Sequence, residues 1–205
     1  MEQALRIAAF NMHGFKQGKA FLIDLCGSCD IVCVQEHWLS SCDSNKLDIA
    51  DSHVIFASFA VDSALSRGVL YGRPFGGLAV YISKLIATCA KLIATTDRYI
   101  ILDISGVVVC NLYLPCKSTP NFIEIYAQIL GEITDVICGT MLTQVIVCGD
   151  YNVSFDQRTH LPIMNYIDCS VMIYSWVVLI SFYLLMTNFL LDMPMALRSR
   201  LLIIF

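Results

Sequence analysis

Charge is scarce in this chain. Only 15% of its 205 residues are Asp, Glu, Lys or Arg, where about a quarter is usual. The formal net charge is −4, so no broad basic surface for sequence-independent nucleic-acid binding is expected. The composition still admits a site whose positive charge arrives as a bound metal ion. Internal repeats and low-complexity linkers are lacking. No secretory leader opens the sequence, which goes directly into a strand pattern. A disulfide scaffold is not expected either, although there are ten cysteines. Cys33, Cys110 and Cys148 lie inside apolar runs, where a thiol behaves as a small hydrophobe. Free thiols in a reducing compartment are the expectation, intracellular and either nuclear or cytoplasmic. The run Cys26-x-x-Cys29-x-x-x-Cys33 has no second Cys or His pair at zinc-binding spacing, so ordinary cysteines are expected there.

Apolar residues are what the chain has in excess. They reach 57% with a mean hydropathy of +0.68, and much of the surplus sits in the last forty residues. Two compositions follow: a domain over residues 1–165 and an apolar tail over 166–205. Within the tail, residues 169–191 contain no charge, glycine or proline. As a helix that stretch would span roughly 35 Å, enough for a bilayer core of about 30 Å. Arg198 and Arg200 follow it as a cytoplasmic flank would. Three readings stay open: a transmembrane anchor, a buried helix, and a tail unrelated to the domain, such as a reading-frame accident would leave.

Along the domain, short apolar runs at residues 5–10, 31–34, 54–60, 78–82, 99–104, 107–112 and 144–148 read as strands. The turn-forming residues 72–77 introduce the run at 78–82. Ser105-Gly106 reads as a two-residue hairpin connection. Residues 19–26 predict a short helix with Phe21, Leu22 and Leu25 on one face. A second helix opens at Pro120 and runs to about Cys138, with Ile123, Tyr126, Ala127, Leu130, Ile133 and Ile137 on its apolar face. Hairpins mixed with crossovers predict an α/β sandwich of mixed sheets.

The polar residues collect where strands end. Val145-Ile146-Val147-Cys148-Gly149 delivers Asp150 and Asn152; Phe10 precedes Asn11; Val34 precedes Gln35 and Glu36. Three strand ends carrying acids and amides predict a metal-assisted site for a phosphate or similar group. Glu36 is a hard oxygen donor suited to Mg²⁺, which takes only one or two protein carboxylates and keeps several waters. Asp150 is the candidate general base. Asn152 is placed to donate to phosphoryl oxygens, or else to close an ordinary Asx turn. His13, His37 and His53 have no partner acid at a telling spacing and read as structural or solvent-facing. Trp38 reads as packing under the site, and Arg73 as a loop cation rather than a phosphate contact.

Four motifs in order, Phe10-Asn11-Met12-His13-Gly14, Gln35-Glu36-His37-Trp38-Leu39, Asn111-Leu112-Tyr113-Leu114-Pro115 and Gly149-Asp150-Tyr151-Asn152, resemble the endonuclease/exonuclease/phosphatase (DNase I-like) superfamily. With the strand Gly76-Gly77-Leu78-Ala79-Val80, they look closest to the endonuclease domains of LINE-type retrotransposons. The resemblance covers residues 5–157. It implies a sandwich of two mixed β-sheets flanked by helices, and Mg²⁺-dependent (or Mn²⁺-dependent) hydrolysis of DNA phosphodiesters. Glu36 would hold the metal and Asp150 prepare the attacking water. Asn152, Asn11 and Tyr113 would stabilise the phosphoryl group. The family pattern goes on to a closing Ser-Asp-His segment. Nothing here matches it: His160 is in the wrong context, and Asp168 and Asp192 sit beside the apolar tail. The resemblance therefore implies a domain incomplete at its C-terminus and impaired in catalysis. The alternatives are a non-catalytic remnant, or a membrane-associated lipid or inositol-phosphate phosphodiesterase anchored through residues 169–191.

Overall fold

The structure is a computed structural model that describes residues 5–66, 68, 75–152 and, as backbone, 201–204. Strands β1 (Ile7–Asn11), β2 (Ile31–Gln35), β3 (His53–Ser58) and β4 (Leu78–Ser83) form one sheet, with β9 (Leu201–Ile204) on its edge. Its order is β3-β4-β2-β1-β9, with β1 and β2 parallel and the other pairs antiparallel. The second sheet has the order β5-β6-β7-β8, from β5 (Ala90–Thr95), β6 (Tyr99–Ile104), β7 (Val107–Tyr113) and β8 (Gln144–Asp150). There β7 and β8 are parallel and the rest antiparallel. Both sheets are mixed, as the sequence predicts.

Helix α1 (Phe15–Ser28) covers the outer face of the first sheet and α3 (Phe122–Gly139) that of the second; α2 (Ala60–Ser66) is short. Alternation along each strand divides three cores. Ala8, Phe10, Val32, Val34, Ala79 and Tyr81 face α1. Ile7, Ala9, Ile31, Cys33, Val80, Ile100, Leu102, Val109 and Cys148 fill the space between the sheets. Ile101, Val108, Cys110 and Leu112 meet Tyr126, Ile129, Ile133 and Ile137 of α3. Strands buried on both faces need no polar alternation, which is why β1, β2 and β4 read as unbroken apolar runs.

The period of two also positions the site. Asn11 has the parity of Ile7 and Ala9, and Gln35 that of Ile31 and Cys33. Asn111 and Tyr113 share the parity of Val109, and Asp150 that of Cys148. All five therefore project between the sheets, and at the strand ends Asn11 pairs with Gln35 and Tyr113 with Asp150.

Several local expectations are corrected. The first helix is longer than residues 19–26, because its start is set by backbone bonds from Gly14 and Phe15 to Glu36 and His37 and not by a side-chain cap. Strand β5 and helix α2 were not foreseen; β5 is a partly exposed strand without clean alternation. The buried stripe of α3 runs through Tyr126, Ile129, Ile133 and Ile137, leaving Ile123 47% exposed. Tyr126, Ile133 and Ile137 lie on it as predicted, Ile129 joins them, and the helix starts at Phe122 rather than Pro120. The hairpin at Ser105-Gly106 is present, with φ of 54° and 86°. The nine cysteines among the described residues are all free, with Cys33, Cys110 and Cys148 buried. Among the described residues no helix is long and apolar enough to cross a membrane; residues 169–191, like Arg73, His160, Asp168 and Asp192, lie outside them.

Candidate active site

Asn11 joins the two sheets. Its Nδ2 donates to Glu36 Oε1 at 3.0 Å and to Asp150 Oδ2 at 2.7 Å. Its Oδ1 accepts from the His13 backbone N–H at 3.0 Å and lies 3.0 Å from His13 Nδ1. One buried amide thus spans a carboxylate from the first sheet and a carboxylate from the second.

A regular continuation of β2 would turn Glu36 toward α1, since Gln35 points between the sheets. Glu36 instead adopts φ 59°, an uncommon left-handed conformation for this residue type. Such outliers persist only where surrounding structure over-determines them. Here the Glu36 carbonyl accepts from the Gly14 N–H at 2.7 Å, and its Oε2 accepts from the Trp38 indole N–H at 3.0 Å. Tyr113 pairs with Asp150 across β7 and β8, within electrostatic reach of the Glu36 carboxylate. Burial, reinforced by the Glu36 and Asp150 carboxylates, raises the Tyr113 phenol above its ordinary range and keeps it a neutral donor.

Across the gap, Asp150 Oδ1 accepts the backbone N–H of Asn152 at 2.9 Å, an Asx-type closure. Asn152 sits at φ 51° and its amide donates to the Leu114 carbonyl at 2.7 Å. The structure therefore brings Asn11, Glu36, Tyr113 and Asp150 together, and hangs Asn152 on the neighbouring loop. Gly149 lets this happen: at φ 134°, a Cβ there would collide with the Leu112 carbonyl oxygen opposite it.

His13 corrects the sequence reading. Its Nδ1 lies 3.5 Å from Glu36 Oε2, and its ring stacks on Trp38 with centroids 6.1 Å apart. The partner acid is 23 residues away in sequence, which no local spacing reveals. Trp38 does pack at the site, as expected, and also fixes the Glu36 carboxylate. His37 is structural. Leu39 N–H donates to its Nδ1 at 3.0 Å, so Nε2 carries the proton and donates to the Ser58 carbonyl at 2.9 Å. Burial lowers its pKa to about 4.

Behind the acids, Gln35 and Asn111 form a bridge that sequence reasoning missed. Gln35 Nε2 donates to Asn111 Oδ1 at 2.6 Å, and Asn111 Nδ2 donates to the carbonyls of Val34 and Ala79 at 3.0 and 3.1 Å. The available signal was an amide embedded in the apolar run of β7.

Two carboxylates that share one neutral amide leave negative charge uncompensated at close range. Among the described residues no Lys or Arg forms an ion pair with either acid. That donor set suits a divalent cation held by one or two carboxylates and completed by water, as Mg²⁺ prefers. Among the described residues no cluster of three or more His, Cys, Asp or Glu forms a full protein cage.

No protein-family model matches the chain, and no curated protein matches its sequence. Solved structures do. A 3′ phosphatase from Neisseria, bound to product DNA hairpin, aligns with a TM-score of 0.54 at 17% identity, over 73% of this chain and 58% of that one. The chain has the DNase I-like fold. A 3′-5′ exonuclease from Neisseria meningitidis gives 0.51 at 17% identity, over 73% of this chain and 59% of its own. An AP endonuclease from Archaeoglobus fulgidus gives 0.51 at 18% identity, over 84% and 69%. This DNase I-like chain thus spans about three fifths of the length of the two Neisseria structures.

Proposed function

We propose that this chain derives from, and retains the core site of, a divalent-metal-dependent phosphodiesterase acting on DNA, of the retrotransposon endonuclease type. One observation carries the reading: the Asn11 amide holds Glu36 and Asp150 together from opposite sheets, at 3.0 and 2.7 Å. In this reading Glu36 holds the metal ion, with Asp150 facing the same gap. A bound Mg²⁺ would supply charge neutralisation at the phosphoryl oxygens. Asp150 orients and deprotonates the attacking water as general base. Tyr113, kept neutral, donates to a phosphoryl oxygen as charge develops, and Asn11 fixes the two carboxylates. Asn152 reaches the phosphate only if its amide leaves the Leu114 carbonyl. The DNA substrate is supported by the fold neighbours, one of them solved with product DNA. The motif text around Gln35-Glu36-His37-Trp38-Leu39 and residues 76–80 supports the retrotransposon assignment.

A second reading, a remnant without catalysis, is favoured by the Asn152 amide, which is spent on the Leu114 carbonyl at 2.7 Å. Membrane-associated lipid or inositol-phosphate hydrolysis rests on residues 169–191, outside the described structure. Nicking of supercoiled plasmid with Mg²⁺ separates these readings. We expect slow nicking by the full chain that Glu36→Ala and Asp150→Ala each abolish. Nicking that survives both substitutions overturns the site; no nicking at all favours the remnant.

A further inference from the structure

Beside the acids, a pocket of about 230 Å³ is lined by Ala60, Phe75, Gly76, Asp97, Arg98 and Tyr113. Ligand pockets for drug-sized molecules span about 300–1,000 Å³, so this one suits a single nucleobase or sugar-phosphate unit. Tyr113 is its shared wall with the acid site, because it pairs with Asp150 across β7 and β8. Arg98 is pinned there by its own backbone, whose carbonyl accepts the Tyr113 N–H at 2.8 Å. Its guanidinium lies over the Tyr113 ring, 5.6 Å from the centroid. Among the described residues it forms no ion pair. Phe75 is 46% exposed at the mouth.

A cation without an ion pair among the described residues, an exposed aromatic ring and a shared wall with a phosphate site make one combination. We propose that this pocket is the subsite for the nucleotide adjoining the phosphodiester held at Glu36 and Asp150. Arg98 takes the neighbouring phosphate and Phe75 stacks on the base. The inference rests on the phosphodiesterase reading for its position, but its recognition chemistry is testable without catalysis.

The test uses the full chain and a short fluorescein-labelled single-stranded DNA in EDTA, with anisotropy read against salt. Arg98→Ala is expected to weaken binding and to lower the slope of log K against log salt by about 0.7, one single-strand phosphate contact. Phe75→Ala is expected to weaken binding about tenfold, one stacked base, with the slope unchanged. Phe75→Tyr is expected to restore it. In parallel, hydrolysis of bis(p-nitrophenyl) phosphate with Mg²⁺, a diester lacking a flanking nucleotide, is expected to be unchanged in all three variants. Binding unaffected by either alanine, or absent in the unsubstituted chain, overturns the subsite. Equal losses on the small diester also overturn it, since the residues would then act through the acid site. Selective loss of DNA binding in a chain that hydrolyses nothing supports the subsite and overturns the hydrolase reading alone.

Discussion

His37 shows how a motif residue can belong to the scaffold. Its ring is fully enclosed, with Gly77 so close that a Cβ there would strike the imidazole. Both ring nitrogens are used, by Leu39 N–H and the Ser58 carbonyl, in a geometry that only the neutral ring satisfies. Its pKa falls from 6.5 to about 4. The unfolded chain therefore takes the proton first as pH drops, so His37 contributes stability above about pH 6.5 and loses it progressively toward pH 4. The full loss is about 3 kcal/mol. Urea unfolding at pH 7.5 and pH 4.5 should show it. His37→Gln should be less stable at pH 7.5 yet flatter between the two pH values; an unchanged slope would show that other groups carry the dependence. The sequence reads His37 and His13 alike, as structural or solvent-facing residues without a partner acid. The difference is tertiary, because Glu36 meets His13 only after β1 and β2 pair.

Strands were legible because the inner ones are apolar on both faces, and their ends were legible because polar residues interrupt them. Asn11, Gln35, Glu36, Tyr113 and Asp150 were all visible as strand-end residues for that reason. Which of them face one another was not, since a run without alternation hides parity. Gln35 and Asn111 illustrate this: each looked like an ordinary motif letter, yet together they tie β2 and β4 to β7 through buried amides. A double-mutant cycle measures that tie. Gln35→Leu and Asn111→Leu should each cost about 1–3 kcal/mol, because each strands a buried polar partner. The double variant should cost clearly less than their sum. Strict additivity in denaturant melts would show that the two amides act independently. Strand β5 and helix α2 were missed for another reason: both are short and half-exposed, so neither period registers.

Across the sandwich, each sheet contributes one acid, and the sequence alone could name both without showing that a single amide spans them. That arrangement makes ligand binding a property of the whole fold. A cation held between Glu36 and Asp150 would cross-link sheets that Asn11 otherwise couples with two hydrogen bonds. Because such a site exists only in the folded chain, binding shifts the unfolding equilibrium, by about 2.7 kcal/mol when free metal is a hundredfold above its Kd. For a chain of this size that raises Tm by about 5–10 °C. Thermal melts in EDTA and in saturating Mg²⁺ or Mn²⁺ should show the rise in the unsubstituted protein. Glu36→Gln should abolish it while retaining the neutral hydrogen-bonding shape. An equal rise in Glu36→Gln would place the cation elsewhere. No rise in either would leave the Asn11 amide as the whole connection between the two acids, and the site without its metal.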